Sequence, residues 1–205
     1  MPAYDLFGEP ASPATLTADT ASYVLAVQFS IASLLPGQVA TLTRIKWFSP
    51  PGAGILPNAI DLWQVSGASL VATQAASWDG AVGSGWVHAP FTSPPVLTPG
   101  VAYKAAIFKN DGSVNTFYGS TPNYWSSGPG SGGITNGPLS APNNAGGDGG
   151  QSTFNNSNLN AYPATSFNAT NYWLDLEVTV TGGLAAAAQP GDYGRSAIRR
   201  ELIWA

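Results

Sequence analysis

The 205-residue chain carries seven lysines and arginines against eleven acidic residues, for a net charge of -4, and it has no cysteine. Charged residues make up only 9% of it, against about 25% in ordinary domains, so it offers no electrostatic basis for binding nucleic acid. The missing cysteine excludes disulfides, thiolate metal sites and thiol nucleophiles, while the length suffices to bury roughly 70% of the unfolded surface without staples.

In chain order, residues 1–21 contain Pro2, Pro10 and Pro13 among small polar residues and show no lasting period. They read as an arm whose Tyr4, Leu6 and Phe7 dock on the parent domain or on a neighbour. The opening residues lack a basic stretch followed by an apolar one, and no later run is long enough to span a bilayer, so neither a signal peptide nor membrane insertion is expected. Tyr23, Leu25, Val27, Phe29 and Ile31 then alternate with Val24, Ala26, Gln28 and Ser30, which is the period of a strand. Pro36 and Gly37 turn the chain into a strand over 39–49, where Ile45 and Trp47 alternate with Arg44 and Lys46. A strand over 59–65 follows, with a hairpin return over 67–72.

After a glycine-rich bend at 79–85, Val87, Ala89 and Phe91 share one face of a strand, with Trp86 and His88 on the other. Pro94 and Pro95 place its end at an edge or corner, because proline donates no ladder hydrogen bond. Pro99 and Gly100 form a tight turn before a strand over 101–108. Asn110, Asp111 and Gly112 signal a hairpin into a strand over 116–118. Residues 119–161 are rich in Gly, Asn, Ser and Pro with Asp148 as the lone charge, a length of loop that is usually functional or mobile. Tyr124, Trp125, Phe154 and Tyr162 argue that it is partly pinned down.

The clearest pattern lies at 171–180. Tyr172, Leu174, Leu176, Val178 and Val180 fall on one side of an extended chain; Trp173, Asp175, Glu177 and Thr179 fall on the other, expected to be the solvated face. Gly182 and Gly183 end the strand. Eight short strands with frequent turn signals predict an all-β fold, an antiparallel two-sheet sandwich of the jelly-roll or immunoglobulin kind. The expected division is an arm at 1–21, a sandwich at 22–181, and a linker with an attachment peptide at 182–205. In the last segment Arg195, Arg199 and Arg200 accompany Ile203 and Trp204, in a short amphipathic helix or an extended strand suited to docking on a particle.

Catalytic material is thin. His88 is the one histidine, so a histidine metal cage is excluded, and its strand position reads as an ordinary surface residue. Asp175 and Glu177 are near enough on one face for acid and base work, although alternating acids on a strand are more commonly its solvated face. No phosphate-binding glycine loop appears, and no enzyme, cofactor or metal is expected. Trp47, Trp63, Trp86 and Trp173 read as packing residues. Trp78, Trp125 and Tyr124 lie in expected loops, where such rings stack on sugars or anchor protein interfaces.

Three ordered blocks carry a family resemblance: Leu62, Trp63, Gly67, Leu70, Val71 and Ala72; then Gly85, Trp86, Phe91, Pro95, Val96, Leu97, Gly100 and Tyr103; then Asn171 to Asp175. Over residues 23–180 the chain resembles the DUF4082 β-sandwich domain. That family is found in large bacterial surface proteins, carbohydrate-associated proteins and actinobacterial phage proteins, and its activity is undefined, so no catalytic residue carries over. The nearly free-standing setting is similar to small virion proteins of actinobacteriophages. The resemblance implies a non-enzymatic virion protein, a minor tail or capsid decoration protein, assembled in the host cytoplasm with other virion proteins as a homo-oligomer or symmetric assembly. The alternative is a carbohydrate-binding module for cell-surface glycans, using Trp78, Trp125 and Tyr124 and acting extracellularly if free.

Overall fold

A computed structural model describes residues 1–9, 11–19, 21–109, 116–143, 150–156 and 160–183. Fourteen strands are present among them: β1 (Ala3–Tyr4), β2 (Thr15–Asp19), β3 (Tyr23–Ile31), β4 (Gln38–Ser49), β5 (Ala59–Gln64), β6 (Ser69–Ala75), β7 (Gly85–Pro90), β8 (Val96–Leu97), β9 (Ala102–Lys109), β10 (Thr116–Ser120), β11 (Ile134–Asn136), β12 (Leu139–Ala141), β13 (Ser152–Asn155) and β14 (Leu174–Gly182). No helix among these residues is long and apolar enough to cross a membrane.

Every strand pairing is antiparallel. One sheet runs β1-β14-β4-β7, with β8 following β7 along the same edge of β4. The other runs β11-β12-β3-β9-β5-β6, and β12 and β13 share the outer edge of β3. A separate ribbon joins β2 to β10. The two sheets close on one apolar core that includes Leu25, Val27 and Phe29 from β3, Ile45 and Trp47 from β4, and Leu174, Leu176 and Val178 from β14. The expected all-β, antiparallel two-sheet sandwich is the fold.

Strand β4 shows how the sequence sets the register. Ala40 and Leu42 face the core, and strict alternation would send Arg44 after them. A bulge resets the phase: Glu177 lies opposite Arg44 and Val178 opposite Leu42, which leaves Thr43 as the extra residue. Ile45 and Trp47 then point inward while Arg44 and Lys46 point out. The Thr43 hydroxyl donates to the Glu177 backbone carbonyl at 3.0 Å and so closes the bulge.

Three expectations change, and one open alternative is resolved. The strand expected over 171–180 begins at Leu174, because Trp173 takes a φ of 53° and breaks the alternation. The hairpin expected from the 101–108 strand into 116–118 does not form: β9 pairs with β3 and β5, while β10 crosses to β2 of the arm. Its turn signal at Asn110, Asp111 and Gly112 lies outside the described residues. Within 119–161, the β11–β12 hairpin and β13 extend the second sheet instead of forming one long loop. Of the two dockings open to the arm, the structure shows the one on its own domain, with β1 on the edge of β14 and Leu6 in the core.

The second sheet is covered on its outer face as well. Val24, Ala26, Trp63, Ala106 and Phe108 form a small second cluster beneath Tyr162, and the Lys104 ammonium donates to the Pro163 carbonyl at 2.8 Å. Asp61, on the same strand face as Trp63, is buried with neither carboxylate oxygen in a well-formed hydrogen bond. Burial pushes its pKa up to about 6, against the Thr73 hydroxyl across the β5–β6 pair, which favours the charge.

Because Leu176 of β14 is 0% exposed, Leu176→Ala is expected to lower stability by about 2–5 kcal/mol in denaturant unfolding. An unchanged unfolding midpoint would contradict its placement in the core.

Candidate functional site

The first concentration of chemistry is the seam between the arm and β4, β7 and β14. Asp175 was expected on a solvated face, yet it is 1% exposed. The arm lies over it, and its carboxylate accepts the backbone N–H groups of Leu6 at 2.9 Å, Phe7 at 3.1 Å and Leu176 at 2.7 Å. Burial pushes its pKa up to about 6, against these three donors, which favour the carboxylate. The other acid of that expected pair, Glu177, is bound to Arg44 at 3.0 Å and accepts from Thr43.

Lys46 and His88 complete the seam. The Lys46 ammonium contacts Asp5 at 2.9 Å and Glu9 at 3.5 Å. Burial alone would lower its pKa, but Asp5, Asp175 and Glu9 outweigh that and raise it. His88 is more than a plain surface residue: Nδ1 meets Asp79 and Nε2 meets Glu9, each at 2.8 Å. Burial opposes ionisation of Glu9 and Asp79, but their bonds to His88 hold both pKa values below the ordinary carboxylate range. These charged groups hold down the arm, and both ring nitrogens of His88 are occupied by carboxylates. Among the described residues no three His, Asp or Glu side chains are grouped to hold a metal ion.

The second concentration is aromatic and internal. Phe7 of the arm lies 5.9 Å from Tyr124, 5.9 Å from Trp125 and 5.6 Å from Trp173, centroid to centroid. Trp125, expected at a contact surface, is 1% exposed, and its indole N–H donates to Ser152 at 2.9 Å. Tyr124 is buried beside it. Gly130 presses on both rings, since a Cβ there would come within 2.6 Å of each. Trp78 is half-buried against Trp47 at 6.4 Å and donates to the Pro57 carbonyl at 2.7 Å. Trp125 and Tyr124 offer no open stacking face, because the chain around them has folded over them, whereas Trp78 is only partly covered. Arg195, Arg199, Arg200, Ile203 and Trp204 lie outside the described residues.

The third concentration was not apparent from the sequence. Tyr23 and Leu25 of β3, Tyr118 of β10, Phe154 and Asn156 at the end of β13, and Phe167 and Tyr172 before β14 line an open cleft of about 180 Å³. The rings brace one another edge to face: Tyr23 on Tyr118 at 5.2 Å, Tyr118 on Tyr172 at 6.0 Å, and Phe154 on Tyr172 at 6.3 Å. Tyr23, Leu25 and Tyr172 are buried, whereas Phe167 stands at the mouth, 59% exposed. The one available sequence signal was a phenylalanine set between Ser166 and Asn168 in an otherwise polar turn.

Replacing Asp175 with Asn leaves the N–H groups of Leu6 and Phe7 facing a side chain that also carries donors. A loss of about 1–3 kcal/mol is expected, with hydrogen exchange at those two amides accelerated; unaltered exchange would contradict the anchoring role. The pKa values of Glu9 and Asp79 lie below their unfolded values of 4.5 and 3.8, so their stabilisation is complete above those values and is lost as pH falls through the folded ones. Asp175, raised to about 6, acts in the opposite direction, disfavouring the fold as pH rises from its unfolded value through 6. Melting temperature measured from pH 7 down to pH 2 is expected to fall less steeply at the acid end in a Glu9→Gln/Asp79→Asn variant than in the parent chain.

No curated protein matches the chain. The family model described as a domain of unknown function, DUF4082, matches residues 10–174, a span that takes in β2 to β13, the rings of Tyr124, Trp125 and Trp173, and every residue that lines the cleft. On that match the chain belongs to the DUF4082 family.

Proposed function

We propose that this chain is a non-enzymatic structural protein of a phage particle, a minor tail or capsid decoration protein that displays the sandwich on the particle surface. The observation that carries this reading is the use of the arm. Strands β1 and β2, Leu6, Phe7, Asp5 and Glu9 are all engaged with the protein's own body. That leaves residues 184–205, with Arg195, Arg199, Arg200, Ile203 and Trp204, as the segment whose composition suits attachment. Other virion proteins are the partners in this reading, and self-association into a symmetric appendage is compatible with it.

A second reading, recognition of cell-surface glycans, is favoured by the open aromatic cleft. It is compatible with the first, since a displayed protein is well placed to touch a cell surface.

The test is incorporation. Removal of residues 184–205 leaves β14 intact, so the shortened chain is expected to keep its melting temperature and to be missing from purified particles. Full incorporation of the shortened chain would overturn the attachment role. Counting copies of the parent chain per particle by mass spectrometry then separates the locations: hundreds point to capsid decoration, a few tens or fewer to a tail component, and none rejects the virion reading.

A further inference from the structure

We propose that the cleft between Tyr23, Tyr118, Phe154, Asn156, Phe167 and Tyr172 is a binding site for one neutral pyranose ring, such as the terminal sugar of a glycan. This deepens, and rests on, the glycan-recognition reading.

The site is built and rigid before any ligand arrives. Phe154 is held by the β13–β3 pairing and by its two backbone hydrogen bonds with Thr165, at 2.8 and 3.1 Å. Tyr118 is held in the β10–β2 ribbon. Phe167 sits on a turn in which Asn168 and Ala169 both take positive φ, 48° and 46°, a conformation unfavourable for residues other than glycine. The Asn168 and Ala169 carbonyls accept from the Asn123 and Trp125 N–H groups at 2.8 and 3.1 Å, which fixes the turn. The fold therefore holds Ala169 in a backbone conformation that is costly for it, next to a ring that stands in water, and such strain clusters at ligand sites.

Size and chemistry narrow the ligand. The volume of about 180 Å³ is below the roughly 300–1,000 Å³ of sites for drug-sized molecules, so it suits a single ring. Aromatic walls match the C–H face of a sugar, and the exposed Asn156 amide supplies both a donor and an acceptor for ring hydroxyls. Burial raises the pKa of Tyr172 and keeps its hydroxyl neutral. An aromatic box of this kind also suits quaternary ammonium groups, but the Lys109 ammonium lies 5.3 Å from the Tyr23 ring centre and 3.4 Å from its hydroxyl. The Tyr23 ring thus already has a cation over it and offers a second one less of its π-face, and the neutral ring is the better match.

The test is saturation-transfer NMR on the full chain with free glucose, galactose, mannose, rhamnose, N-acetylglucosamine and N-acetylgalactosamine, each at millimolar concentration, and with choline as the cationic comparison. At least one sugar is expected to bind, choline is not, and Phe167→Ala and Asn156→Ala are each expected to weaken that binding by about tenfold, the scale of one lost aromatic or hydrogen-bonding contact. Both positions are exposed, so the melting temperature should hold. Sugar binding that survives both substitutions overturns this site while leaving glycan recognition standing. No sugar binding by the parent chain overturns the site and the glycan reading together, and preference for choline overturns the neutral-ring assignment.

Discussion

The carboxylate of Asp175 is the point at which two distant parts of the chain are joined. It lies on the second strand of its sheet and accepts backbone N–H groups from residues 6 and 7. Those bonds lead Leu6 into the core and Phe7 onto Tyr124, Trp125 and Trp173. A neutral acceptor would fill the same space, but charge-assisted bonds are roughly twice as strong. Lys46 lies close enough to favour the ionised form, and burial opposes it. The arm is thereby part of the sandwich, and it is secured by an acid whose own burial is costly.

Much of the architecture was legible in the residues. Strand β3 carries its main-core residues at a period of two, and Gly182 and Gly183 mark the end of β14. The alternation of Val87 and Ala89 correctly placed His88 on the opposite face. The same rule misled at Asp175, because period two says which side a residue takes and not whether another segment covers that side. Trp125 failed for a similar reason: a Ser- and Gly-rich neighbourhood reads as a loop, yet Gly130 is there to let the chain close over the ring. The bulge at Thr43 left a trace in the spacing of Leu42 and Ile45, which is three where alternation requires two.

The cleft shows why sites formed between strands are hard to read from a chain. Tyr23, Tyr118 and Tyr172 are each unremarkable in sequence. They meet because β10 leaves its expected hairpin partner and crosses to the arm, and because Trp173 turns the chain just before β14. The protein thus sorts its aromatic residues into two populations. One set closes around Phe7 and is removed from water; the other braces Tyr172 and keeps an opening.

The position of β14 also bears on how the body responds to force. It is hydrogen-bonded on one side to β4 along its whole length and on the other to β1. Ladder bonds run perpendicular to the strands, so a pull transmitted along β14 from beyond Gly182 loads its bonds to β4 together, in shear, instead of opening them one at a time. A sandwich held by this end resists extraction through nine residue pairs at once, a mechanical property suited to a domain tethered in flow.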